Sequence, residues 1–291
     1  MSRIRQCFSS RYTDGLLIEA DYSQLEIVVL AYLSNDDNLI EDLQSGRDLH
    51  RMRAAQLYTI DESKVTPKQR RIAKTLSFQL QYGAGAKTMS EINKIPKSLA
   101  QEFIDNFYTR YSQVQSWQEN LQDYVTSNKG SEWFDYESHA LDKISRTPLG
   151  IPRHPSAICS PTKRVLVFRE YDSKYAHKSN YKKRSIQYSP TEIKNYPVQS
   201  LATDIIKIAL GTLAYKVWFD GNIKIINTVH DNIVVDCKLK ERENVCNMLQ
   251  WAMVHRTTKI LQSRYDIELP VPLSIEIKSG KRWSDMTTID I

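Results

Sequence analysis

The sequence predicts an α+β fold: a small sheet with helices packed on one face and a helical lobe between its strands. Three observations carry this. Strand-like runs are few and sit near the two ends of the chain, at residues 16–20, 223–237 and 274–277. Long stretches with apolar residues at helical spacing separate them. Hydrophobic residues make up 41% of the 291 and charged residues 25%, with nine glycines and ten prolines, a balance that fits globular domains and not a long disordered tail.

The first strand is LLIEA (16–20), flanked by the turn pair Asp14-Gly15, and Asp21 falls at its C-terminal end. Ser23 and Glu26 stand as a capping box for a helix running to about Ser34, with Leu25, Val28, Val29 and Tyr32 on one face. Asn35-Asp36-Asp37 breaks it, and 38–58 is mostly helical with an interruption near Gly46. In 66–83, Thr66 and Gln69 form a second capping box, Pro67 sits where a missing N–H costs nothing, and Gly83 ends the helix. Residues 98–127 carry Phe103, Phe107, Val114, Trp117, Leu121 and Tyr124 at helical spacing, assigned to core. Residues 146–155 read as loop or hairpin, and 195–218 as a helix after Pro197 with Ile205, Ile208, Ala209 and Leu213 inward. In 223–237 a strand, the tight turn VHDN and a second strand follow one another.

The net charge is +6 and the pI about 9.0, which suits a polyanionic partner. Between 163 and 184 lie eight basic residues against Glu170 and Asp172, an excess equal to that of the whole chain. That stretch reads equally as a solvated loop or as a grip on nucleic-acid phosphates. The four cysteines show no C-x-x-C spacing, which points away from a zinc site and towards a reducing compartment. No apolar run is long enough to span a membrane, and MSRIRQCFSS lacks the apolar core of a signal peptide, so a cytoplasmic location is expected.

Arg70, Lys74, Phe78 and Tyr82 are spaced four apart and form one stripe about 18 Å long. Two cations followed by two flat rings would serve phosphates, then a sugar and base. The same four also read as two core aromatics beside a wet cationic face. Asp21 and Asp231 each read as ordinary turn residues when taken singly. If their strands lie side by side, however, two carboxylates meet at one sheet edge and need cations to neutralise them. Hard divalent ions, Mg²⁺ above all, do this and take substrate phosphates as further ligands.

With these residues in view, the chain resembles the DNA polymerase I family (family A). DYSQLE (21–26) resembles its motif A, RRIAKTLSFQLQYG (70–83) motif B and VHD (229–231) motif C; RIRQCF, GRDLH, NYPVQ and VPLSIEIKSGKRW also match. The resemblance implies a right-hand polymerase palm at 1–35 and 190–291, with helical fingers at 36–189 that include the basic loop 163–184. It implies template-directed DNA synthesis from dNTPs on primer–template DNA with two Mg²⁺ ions, Mn²⁺ substituting. Asp21 and Asp231, with the Tyr22 carbonyl, would bind the metals, and Lys74 would join the two aspartates in catalysis. Gln24, His50, Arg70 and Lys74 would contact the incoming nucleotide. Glu26 would leave no room for a ribose 2′-hydroxyl, Phe78 would pack on the sugar, and Tyr82 would stack in the template-base region. Asn195, Gln199 and His230 would touch the minor groove and primer end.

Four positions depart from the family pattern: Val28 for arginine, Thr191 for arginine, Asn232 for glutamate and Gln79 for glycine. Thumb and exonuclease domains are not expected within this sequence, so the resemblance covers the palm and fingers portion only. The expectation is a split or truncated enzyme, possessing or lacking a separate chain that supplies those domains, with a bacteriophage as a fitting source. A weakly active nucleic-acid-binding remnant that needs a partner chain is the rival reading. A single-subunit RNA polymerase is a second, disfavoured by Glu26 and Phe78.

Overall fold

A computed structural model describes residues 3–128, 156–169, 171–172 and 186–289. In chain order the elements are β1 (Gly15–Tyr22), α1 (Leu25–Ser34), α2 (Asp37–Gln44), α3 (Leu49–Tyr58), α4 (Pro67–Gln81), α5 (Ala86–Asn93), α6 (Lys97–Arg110), α7 (Ser112–Ser127), β2 (Ser156–Cys159), β3 (Val165–Phe168), β4 (Tyr171–Asp172), β5 (Ile186–Gln187), α8 (Pro190–Val217), β6 (Ile223–Val229), β7 (Asn232–Lys238), α9 (Arg242–Gln250), α10 (Thr257–Tyr265), β8 (Ile275–Gly280) and β9 (Thr287–Ile289). The chain divides into two compact units, Met1–Val29 with Ser200–Ile291, and Leu30–Gln199.

The first unit is built on an antiparallel sheet of order β6-β7-β1-β8-β9. Its central strands are apolar on both faces, which is why LLIEA shows no alternation: Leu17, Ile18 and Ala20 are each fully buried. Side chains alternate across β1. Ile18, Ala20 and Tyr22 share one face, and α9 packs on β1 and β7. Leu17, Glu19 and Asp21 share the other, where Leu17 clusters with Val234 and Trp283. α9 passes through a π-turn, Trp251–Arg256, into α10. In that turn the Met253 carbonyl accepts from the buried Tyr22 hydroxyl at 2.6 Å, and the Ala252 carbonyl accepts from Thr257 at 2.8 Å.

The second unit is helical, with a core of residues such as Leu57, Leu76, Leu80, Met89 and Phe103 from α3 to α6. Each start has a physical cause. Asp36 caps α2, Asp48 caps α3, and the Thr66–Gln69 capping box closes on α4, all through side-chain oxygens accepting backbone N–H groups. Asn35 and Gly46, both at positive φ, make the breaks read from the sequence. Gly83 has φ +75°, and a Cβ there would meet Thr191 at 3.1 Å, so only glycine fits.

Several expectations need correction. The first helix begins at Leu25, not after Ser23: the Ser23 N–H is held by the Ser274 carbonyl at 2.9 Å, and Gln24 turns the chain at φ +55°. Residues 98–127 form two helices, because Tyr111 leaves helical geometry to send its hydroxyl to Asp42. The break resets the helical phase, so α7 buries Val114, Gln118 and Val125, and Tyr124 is exposed. α8 starts at Pro190, ahead of the expected start at 195, and carries Pro197 inside it, so Asn195 is an interior helical residue. The short strands β2–β5 and β9 have no counterpart in the sequence reading. The loop or hairpin at 146–155 lies outside the described residues, as do Lys174, Lys178, Lys182, Lys183 and Arg184 of the basic stretch. Among the described residues no helix is long and apolar enough to cross a membrane.

One buried polar knot holds α2 to the α6–α7 break. The Asp42 carboxylate accepts from Arg110 at 2.7 and 2.5 Å and from the Tyr111 hydroxyl at 2.6 Å. Burial pushes this carboxyl up, but the bonds from Arg110 and Tyr111 outweigh it and hold the group below its ordinary range. Asp42→Ala strands a guanidinium and a phenol together, and is expected to cost about 3 kcal/mol. The loss should appear as a lower urea midpoint, while Asp37→Ala on the same helix should change it little.

Candidate functional site

In the first unit, β1 and β7 run side by side in the register Asp21↔Asn232, and the Tyr22 N–H donates to the Asp231 carbonyl at 3.2 Å. The sheet therefore brings Asp21 and Asp231 together from positions more than two hundred residues apart. Burial, the Asp231 charge and a hydrogen bond with Asp231 push the Asp21 carboxyl up to about 7, with Glu19 adding to the rise and Lys278 opposing it. Asp21 Oδ1 is buried and has no hydrogen-bond partner. An unclaimed carboxylate oxygen and crowded negative charge are the donor chemistry a hard divalent cation takes. No cluster of three or more His, Cys, Asp and Glu side chains suited to a metal exists among the described residues. The fit thus rests on two carboxylates and main-chain oxygen, with Mg²⁺ taking its remaining ligands from water and phosphate.

Gln24 is exposed at the start of α1, Glu26 is half-buried in its first turn, and His230 is exposed in the β6–β7 turn at φ +57°. Val28, where the family pattern has arginine, is buried at 4% exposure and serves as core. Asn232 is buried too. Its Oδ1 accepts from the Val229 N–H at 3.0 Å and its Nδ2 donates to Glu19 at 3.1 Å.

The second unit gathers His50, Arg70, Lys74 and Phe78. Ala73, Leu76, Ser77 and Leu80 form the buried face of α4. The stripe lies off it, with Lys74 and Tyr82 exposed and Arg70 and Phe78 half-buried, so the reading of the two aromatics as core does not hold. Lys74 Nζ lies 5.7 Å from the centroid of the Phe78 ring, and the His50 ring 6.1 Å from it. Arg70 Nε donates to Asp48 Oδ2 at 2.5 Å. Burial pushes the Asp48 carboxyl up, and hydrogen bonds from Arg70 and the Arg51 amide outweigh it and hold it low. Asp48 therefore caps the helix that carries His50 and aims Arg70 at once. The sequence reading missed that role, although the GRDLH run contains its signal. Asn195 and Gln199 are four apart on α8, one buried and one half-buried, and Asn195 Oδ1 has no partner.

Burial and the cations Arg53, Lys74 and Arg70 push the His50 imidazole down to about 4, so the ring is neutral at pH 7. A histidine whose folded value lies below its unfolded one binds fewer protons folded than unfolded between about pH 4 and 6.5. Stability therefore falls as pH drops through that window. His50→Gln is expected to remove this part of the acid sensitivity, measured as melting temperature against pH.

The DNA polymerase family A model matches residues 1–285. DNA polymerase I of Bacillus caldotenax is 27% identical over 284 residues, covering 97% of this chain and 27% of that protein. The thermostable DNA polymerase I of Thermus aquaticus is 29% identical over 281 residues, covering 97% of this chain and 28% of that protein. This chain thus spans about a quarter of the length of these relatives. Among solved structures, the POL domain of Pol1 from M. smegmatis, in complex with DNA primer-template and dNTP, superimposes with a TM-score of 0.65 at 24% identity over 98% of this chain and 42% of that one, a likeness of fold. With the motif-bearing residues in family order and the match running from end to end, the chain belongs to DNA polymerase family A.

Proposed function

We propose that this chain carries out template-directed DNA synthesis, transferring a nucleotide from a dNTP to a primer 3′-hydroxyl with release of pyrophosphate. The observation that supports this most is the Asp21–Asp231 couple, with its unclaimed oxygen and raised carboxyl. Asp21, Asp231 and the Tyr22 carbonyl would hold two Mg²⁺ ions, with Mn²⁺ able to substitute. Bound there, such ions favour ionisation of the 3′-hydroxyl and neutralise phosphate charge. Arg70, fixed by Asp48, and the exposed Lys74 bind the triphosphate, and Lys74 offsets the charge that builds on the departing pyrophosphate. Neutral His50 offers a hydrogen bond without adding a third fixed charge. Phe78 packs on the sugar, Gln24 contacts the nucleotide, and Glu26 fills the space a 2′-hydroxyl would need. Tyr82 stacks in the template-base region, and Asn195, Gln199 and His230 contact the primer end and minor groove.

The test is primer extension with enzyme in excess over primer–template. Extension should require Mg²⁺, stop with chelator, and favour dNTP over rNTP, a preference that Glu26→Ala relaxes by about 10²-fold. Retained DNA binding with no extension under any divalent ion, or equal use of rNTP, overturns the reading.

A further inference from the structure

Glu19 is the one charged residue in the LLIEA strand and is 6% exposed. It lies two residues before Asp21 on the same face of β1. A buried carboxylate is tolerated when its oxygens are claimed, and here both are. Oε1 accepts from Asn232 Nδ2 at 3.1 Å. Oε2 accepts from the indole Nε1 of Trp283, with the Arg5 guanidinium 3.8 Å away. Trp283 is itself buried and held between Phe8, at 5.5 Å between ring centroids, and Arg5, 4.7 Å over its ring.

Asn232 continues the chain of bonds. Its Oδ1 accepts from the Val229 N–H, closing the four-residue turn whose third member is Asp231 and whose second, His230, sits at φ +57°. A non-glycine residue in that region is strained and persists only when its surroundings fix it. The amide of Asn232 has one workable orientation, since its oxygen meets a donor and its nitrogen meets a carboxylate. The order Trp283, Glu19, Asn232, Val229 is thus a continuous strap from the far strand edge to the turn that presents Asp231.

We propose that Glu19 is a positioning residue for the aspartate pair, setting the Asp231 turn through Asn232 and thereby tuning divalent-cation affinity. This rests on the polymerase reading above for the use of that cation, but the positioning is testable without turnover. The experiment is an exchange of the two side chains. Glu19→Gln alone sets an amide N–H against either Asn232 Nδ2 or Trp283 Nε1. Asn232→Asp alone sets two carboxylates face to face. The double variant restores every bond of the strap with donor and acceptor reversed between positions 19 and 232.

Mg²⁺ is titrated into primer-free protein and the midpoint of the rise in melting temperature is recorded, followed by kcat and KM for Mg²⁺ in primer extension. Each single variant is expected to move the midpoint up about 10-fold, and the double variant to return within about 3-fold of wild type. A merely structural role would lower the metal-free melting temperature without moving the midpoint. Unchanged midpoints in the singles, or a double variant as impaired as the two singles combined, overturn the proposal. If the singles do not fold, the double variant decides by the same criterion. Wild-type protein that takes up Mg²⁺ but extends no primer sinks the activity reading and leaves this one standing on the exchange. Wild-type protein with no Mg²⁺ response sinks both.

Discussion

Asp21→Asn is expected to abolish primer extension, by about 10³-fold or more, while making the metal-free protein more stable at pH 8. The two effects share a cause. Burial and the Asp231 carboxylate hold the Asp21 carboxyl up at about 7. A carboxyl whose folded value exceeds its unfolded one keeps its proton longer in the folded state. Between about pH 4 and 7 the folded form is therefore the better protonated, and stability falls as pH rises through that window. Above it the full penalty is present. Asparagine removes the repulsion and the penalty together. Asp21 is half-buried, so solvent screens part of this, and the gain should be about 1–2 kcal/mol. Melting temperature against pH checks it: the variant should gain on the wild type as pH rises from 4 to 8. Added Mg²⁺ should raise the wild-type curve at pH 8 and leave the variant unmoved. Equal pH profiles for the two proteins would show that the acidic couple stores no repulsion, and the metal assignment would lose its main support.

Lys74→Ala should lower kcat/KM for dNTP by about 10²–10³-fold with a melting temperature close to wild type. Lys74 is exposed, enters no ion pair among the described residues, and has its amine 5.7 Å above the Phe78 ring. Truncation removes little packing, so a loss of activity would report charge at the triphosphate and not damage to α4. Arg70→Ala is the less clean experiment, because it also leaves the Asp48 carboxylate unpaired beside the start of α3. Rescue of Lys74→Ala by arginine should be partial, since a planar fork does not reproduce a compact ammonium. Wild-type kinetics from Lys74→Ala would remove it from the catalytic group.

The sheet, the α4 helix and the hairpin were legible because each rests on short-range chemistry: a capping box, a β-branched alternation, a two-residue turn. What failed depended on contacts distant in sequence. Tyr111 ends α6 because Asp42, far upstream, claims its hydroxyl, and no local pattern at 111 announces that. Ser23 reads as a cap, but Ser274, just before β8, supplies a carbonyl for its N–H. Within the candidate site, the aspartates and the cationic stripe stood out by residue type. Asp48 and Glu19 did not, because each acts by holding another side chain. Glu19 did leave a trace, as the one charged residue in the apolar run 16–20. Asn232 and Val28, departures from the family pattern, are both buried, and the packing around them accounts for residues that composition alone left unexplained.

The π-turn between α9 and α10 makes chain length itself a constraint. A widened turn of this kind holds one residue more than a regular helix would, and the surplus frees a carbonyl from the ladder. Here the Met253 carbonyl is taken by the phenol of Tyr22, the neighbour of Asp21. Losing a single codon in 251–256 would let the ladder close up regularly, draw the Met253 carbonyl back into it and orphan that phenol. The segment can therefore vary in sequence far more freely than in length.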